Sequence, residues 1–87
     1  MLAADIDEIF ARVKKMLARM MKLKEGAITL ESHLRDDLGV DSVDIWEIIA
    51  KTEEEFAIEV EEGDARGINT VRDIVGYIER KMRATKD

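Results

Sequence analysis

Cysteine and proline are both absent from this 87-residue chain, and histidine occurs once, as His33. Without a thiol there is no disulfide framework, no thiolate nucleophile and no cysteine metal site. A chain free of cysteine suits a reducing compartment, and the cytoplasm is the expected location. Residues Met1 to Phe10 carry Asp5, Asp7 and Glu8 and lack both a basic start and an apolar run, so no secretory leader is expected. No apolar run approaches the roughly 20 residues of a membrane span. Internal repeats and low-complexity tracts are also missing. A chain of this length makes one small domain, assigned here to residues 1–87. Such a domain buries about two-thirds of its unfolded surface, enough for a modest core and too little for a deep enzyme cleft.

Acid is what the chain has in excess. The net charge is −6, and its distribution is uneven. Residues 36–64 hold twelve Asp or Glu against one basic residue, Lys51, for a net of −11. The flanking segments 1–35 and 65–87 carry net charges of +2 and +3. An acidic middle repels nucleic acid and anionic lipid, and it favours partners with basic patches.

Hydrophobic periodicity is helical throughout. Ile6, Ile9, Phe10, Val13, Met16, Leu17 and Met20 follow the i, i+3, i+4, i+7 pattern and predict a first helix over about 5–22. Asp5 is its expected cap, with Glu8 three residues on completing a capping-box-like pair. Gly26 is expected to end this helix in a left-handed conformation. Residues 23–40 then read as a long loop pinned by Ile28, Leu30, Leu34 and Leu38, with Gly39 at the turn before the next helix. The second helix is expected at about 42–56, with Ile45, Ile48, Ile49, Thr52 and Phe56 as its core stripe. Thr52 is a poor core residue, because a buried hydroxyl needs a partner. Val43, Trp46 and Ala50 form a weaker second face on the side of Ser42. A brief third helix is placed near 62–66. Thr70 and Asp73 open the last helix, where Val71, Ile74, Val75 and Ile78 face inward and Arg80, Lys81, Arg83 and Lys86 suit the C-terminal end. No strand pattern competes. The expected fold is all-α: a four-helix bundle of three long helices and one short one.

Ser42 stands where the loop turns into the acidic second helix. Asp41 with Asp44 has the spacing of an N-cap and its N3 partner, which leaves Ser42 at the first helical position. Its hydroxyl is then free of capping work and lies in the positive field of a helix N-terminus, a setting that suits a phosphate-bearing side chain. A serine nucleophile needs a neighbouring base, and His33 has no partner that the sequence assigns. Ser42 therefore reads either as a site modified by another enzyme or as a plain helix-start residue. The acids Asp37, Asp41, Asp44, Glu47, Glu53 and Glu54 read either as a solvated face or as a docking face. Glu53, Glu54 and Glu55 crowd a helix C-terminus that disfavours anions, which argues for docking. Trp46 reads either as core or as a partly exposed recognition residue. A calcium loop beginning at Asp36 or Asp37 fails, because its sixth residue is Asp41 or Ser42 rather than Gly. No resident metal is expected.

The run Asp37-Leu38-Gly39-Val40-Asp41-Ser42-Val43-Asp44 resembles the signature D-L-G-x-D-S-L-D of acyl carrier proteins. The resemblance spans almost the whole chain, through Ile28-Thr29, Glu53-Glu54-Glu55-Phe56, Ile68-Asn69-Thr70-Val71 and Tyr77-Ile78. It implies a four-helix, monomeric carrier, not an enzyme, whose Ser42 bears a 4′-phosphopantetheine arm. A separate phosphopantetheinyl transferase using Mg²⁺ would load the arm from coenzyme A, with Asp41 helping to hold that metal. The arm's thiol would hold acyl groups as thioesters. Asp37, Asp41, Val43, Asp44, Trp46, Glu47, Glu53 and Glu54 would meet basic patches on acyl-transferring, condensing and tailoring enzymes of fatty acid or related lipid and polyketide biosynthesis. Leu34, Ile45, Ile48, Ile68, Ile74 and Ile78 would line an acyl pocket. The chain departs from the family pattern at Val43, Ile45, Trp46, Thr52 and Glu61. A carrier of aminoacyl groups and an unmodified acidic interaction module are the alternatives to an acyl carrier.

Overall fold

Helix α1 spans Ile6–Met21, α2 Ser42–Phe56, α3 Glu62–Ala65 and α4 Val71–Ala84 in a computed structural model that describes residues 5–84. A single 3-10 turn at Glu25–Ala27 interrupts the loop between α1 and α2. Among the described residues there is no strand, only one isolated backbone bridge between His33 and Thr70. The chain is therefore the expected all-α bundle of three long helices and one short one. Lys86, expected at the end of the last helix, lies outside the described residues.

Each long helix buries most of the face its periodicity marks, although Ile6 at the start of the α1 stripe is exposed. Helix α1 turns Ile9, Val13, Met16 and Leu17 inward against α4, which contributes Val71, Ile74, Val75 and Ile78. Helix α2 adds Ile48, Thr52 and Phe56, while Ile45 and Ile49 are only partly covered. Burying a Leu, Ile or Val side chain contributes about 1.5–3 kcal/mol relative to leaving it exposed, so these faces supply most of the drive to fold.

The start of α1 departs from the expected pairing. Asp5 accepts a hydrogen bond from the amide of Asp7 at 3.1 Å, and Glu8 does not close a capping box with it. The helix ends at Met21, close to the expected bound, but Gly26 does not terminate it. Lys22 takes the left-handed conformation, φ 58°, and Gly26 sits inside the 3-10 turn. The amides of Lys22 and Leu23 both return to the carbonyl of Ala18. Helix α2 ends the same way, with Ala57 at φ 54° and the amides of Ala57 and Ile58 returning to Glu53. A left-handed non-glycine residue costs about 1–2 kcal/mol. At both ends the next residue, Leu23 or Ile58, packs against the core and offsets that cost.

The long loop is tied down by backbone bonds rather than by a strand. The carbonyls of Leu30 and Ser32 accept from the amides of Arg72 and Val71, two donors that α4 cannot satisfy internally. Leu34 donates to the carbonyl of Asn69, and Val40 donates to that of Leu34. Ile28, Leu34, Leu38 and Val40 are buried beneath this network. Gly39, at φ 73°, supplies the backbone turn that delivers the chain to α2.

Candidate functional site

Asp41 is the N-cap of α2, and its carboxylate accepts the amide of Asp44 at 2.9 Å. The Asp44 carboxylate reaches back to the amide of Asp41 at 3.1 Å, so the capping box is complete. The hydrogen bond from the Asp44 amide is the main reason the Asp41 carboxyl sits below the ordinary Asp range. Ser42 follows as the first helical residue and is exposed. Its hydroxyl makes no hydrogen bond among the described residues.

Among the described residues no hydrogen bond joins the Ser42 hydroxyl to a base. His33 presents Nδ1 to Asp36 Oδ2 at 3.7 Å, its backbone amide donates to Asp37 Oδ2, and no hydrogen bond joins it to Ser42. The geometry therefore shows an accessible hydroxyl with no hydrogen-bonded base to activate it.

Two concavities meet beside Ser42. A surface groove is lined by Ser42, Ile45, Trp46, Arg35 and Arg66, together with Glu62, Ala65, Ile68 and Asn69. A second, apolar cavity of about 30 Å³ lies behind it. Ile45, Ala65 and Ile68 belong to both walls, so the groove leads from the serine to the cavity between α2 and α3. Leu34, Ile45, Ile48, Ile68, Ile74 and Ile78 all line the cavity, joined by Ile49, Thr52, Val60, Ala65 and Tyr77.

The acids expected to share one face behave differently from one another. Asp37 accepts the His33 amide, and Glu53 accepts the Val60 amide at 2.8 Å across the α2–α3 turn. Glu54 pairs with Lys51 at 3.6 Å, and Glu55 with Arg12 at 3.2 Å. Glu47 is exposed and makes no ion pair or hydrogen bond among the described residues. Val43 is 67 % exposed and Trp46 56 %, so both stand on the surface that flanks Ser42. Sequence reasoning overlooked Arg35, Arg66 and Asn69 as neighbours of the serine. The available signal was that Arg35 and Arg66 stand just outside the two ends of the acidic stretch.

Residues 11–78 match the family described as "Phosphopantetheine attachment site", a stretch that includes Ser42. The chain belongs to this carrier family. Its relatives include proteins named "Acyl carrier protein" from Thermotoga maritima, Treponema pallidum and Clostridium perfringens. The first is 40 % identical over 79 residues, covering 91 % of this chain and 98 % of the relative. The second is 38 % identical over 77 residues, 88 % of this chain and 99 % of the relative. The third is 44 % identical over 70 residues, 80 % of this chain and 92 % of the relative. The chain is thus a phosphopantetheine-bearing acyl carrier and not an enzyme. The residues present fit that group: an exposed, unbonded hydroxyl stands at the mouth of a groove that continues into an apolar cavity.

Proposed function

We propose that Ser42 Oγ is the attachment point of the 4′-phosphopantetheine arm, and that residues 1–87 act as one carrier domain of the cytoplasm. The observation that carries the proposal is the unbonded Ser42 hydroxyl at the head of the groove. On a separate transferase, Ser42 Oγ would attack the pantetheine-side phosphorus of coenzyme A: the Oγ–P bond forms as the pyrophosphate P–O bond breaks, adenosine 3′,5′-bisphosphate leaves, and the transferase takes up the serine proton. Asp41, its carboxyl held ionised by the Asp44 amide, is suited to share a Mg²⁺ ion during that transfer. The bound arm supplies the thiol that this cysteine-free chain lacks, and acyl groups are held on it as thioesters.

The cavity between the helices suits the acyl chain. Its present volume of about 30 Å³ is far too small for an acyl chain, so sheltering one requires α2 and α3 to separate. Asp37, Asp41, Asp44, Glu47, Glu53 and Glu54, with Val43 and Trp46 exposed among them, form the surface offered to basic patches of acyl-transferring, condensing and tailoring enzymes. These are enzymes of fatty acid synthesis or of a related lipid or polyketide route.

Intact mass after coexpression with a broad-specificity phosphopantetheinyl transferase tests the proposal. Wild type should gain one arm and Ser42→Ala none. Ser42→Ala should also melt as wild type does, because the lost hydroxyl makes no internal bond. An unloaded wild type, or an arm that persists on Ser42→Ala, would overturn the assignment.

A further inference from the structure

The groove beside Ser42 carries more positive charge than its surroundings lead one to expect. Arg35 and Arg66 line it from the loop before α2 and from the end of α3. Neither guanidinium makes a hydrogen bond or an ion pair among the described residues. Arg35 acts on the Asp41 carboxylate through its charge, yet neither arginine is engaged in a direct pair beside a segment of net charge −11. The same groove holds Trp46, more than half exposed, and the apolar edges of Ile45 and Ile68. A large indole left open to water in a groove that also holds two arginines free of direct pairs has no account in the packing of the core.

A phosphodiester on Ser42 supplies one. Anions are usually received at a helix start by its free amides. Here Asp41 has already taken the Asp44 amide, and the Asp41 and Asp44 carboxylates repel a further negative charge. Glu62 adds a third carboxylate on the groove wall. Neutralising a phosphate in this setting falls to the guanidinium groups, whose planar donor forks match phosphate oxygens. We propose that Arg35 and Arg66 hold the phosphodiester of the arm, and that Trp46, Ile45 and Ile68 cover the branched carbons of the pantetheine. The arm then rests along the groove instead of swinging free, with its distal end directed towards the cavity. The inference rests on Ser42 being the attachment residue, and it assigns binding roles to Arg35, Arg66 and Trp46.

Trp46 is the sole tryptophan, so its fluorescence reports on this groove alone. Loaded and unloaded protein are separated by intact mass. In each, acrylamide quenching of Trp46 is measured, and the phosphorus-31 resonance of the loaded form is compared with that of the same protein unfolded in urea. Loading should cut the quenching constant by about half, since the arm covers one face of a ring that is 56 % exposed. The phosphorus resonance should be displaced from its unfolded position. About 1 M salt, where the screening length is about 3 Å, should return the phosphorus resonance towards that position. The double variant Arg35→Ala/Arg66→Ala, once loaded, should show the unfolded-state resonance and the quenching of unloaded protein. It should stay folded and melt within a few degrees of wild type, the small loss being recovered by salt, because neither side chain makes a direct hydrogen bond or ion pair and only charge beside the acidic segment is removed. A loaded wild type that quenches as freely as the unloaded form, with its phosphorus resonance at the unfolded position, would overturn the inference while leaving Ser42 as the attachment residue. A wild type that never gains the arm would remove the attachment itself and the inference with it.

Discussion

Thr52 shows how a single atom departs from an otherwise regular core. It is 4 % exposed, and its hydroxyl reaches only the thioether of Met16, at 4.0 Å. A thioether is a weak acceptor, so the burial of that hydroxyl is poorly compensated. Thr52→Val keeps the shape and removes the polarity, and it should raise the unfolding free energy by about 1 kcal/mol in urea titrations. Its spacing in the sequence identified the buried position, whereas the partner came from another helix and had no local signal. The acids pose the same difficulty. Their pattern marks an acidic surface, but not that Glu53 holds an amide across a turn while Glu47 holds nothing. This division selects the docking probe. Glu47→Lys removes no internal bond, so its stability should stay within about 0.5 kcal/mol of wild type. Its association with a basic partner enzyme should slow, and more so at low than at high ionic strength. Association kinetics that are unchanged at low salt would place the contact surface elsewhere.

Helices α1, α2 and α4 were legible because their capping and periodicity agree. The Asp41–Asp44 and Thr70–Asp73 boxes start α2 and α4 at the positions their spacing marks. The Asp73 carboxyl lies below its ordinary range chiefly because it accepts the Asn69 amide, with Thr70 adding to the effect. The end of α1 near residue 22 was legible, but its left-handed residue was misassigned for a physical reason: a glycine is the usual choice, and Lys22 takes that role because Leu23 must reach the core. The short α3 is held differently, by contacts distant in sequence. It has no side-chain cap, and the Tyr77 hydroxyl donates to Asp64 at 2.8 Å, fastening it to α4. Burial, aided by the acceptance of this hydrogen bond by Asp64, holds the Tyr77 phenol above its ordinary pKa, so it stays protonated at neutral pH. Because α3 also forms one wall of the groove and cavity, that bond restrains the separation an acyl chain requires. Tyr77→Phe should therefore speed amide hydrogen exchange across residues 61–68 several-fold, with a global cost of about 1 kcal/mol. Unchanged exchange there would show that the loop backbone alone holds α3 in place.

Across the whole molecule, the opposing charges of its segments set the stability. The −11 stretch folds back against itself at α2 and α3, and few of its acids are neutralised by bases. No three of the described acids or histidine converge into a metal site, and a divalent cation screens such a field at lower concentration than a monovalent one. Added salt and, at lower concentration, Mg²⁺ should both raise the melting temperature at pH 7. Acid acts through two opposing effects. Lowering the pH reduces the net negative charge and relieves repulsion, which stabilises. Asp41 and Asp73 have folded-state pKa values depressed by the amides they accept, so their contribution is present above the ordinary carboxylate range and is lost as pH falls through the depressed values. Stability should therefore rise from pH 7 to about pH 5 and fall below about pH 4, where the unfolded chain takes up protons that the caps of α2 and α4 still resist. The salt dependence should shrink along the same acid series, because the repulsion that salt screens is already fading. A melting temperature indifferent to salt and Mg²⁺ at pH 7 would mean that the acidic surface is internally paired. It would then offer no unspent charge to a basic partner, and the docking face would have to lie elsewhere.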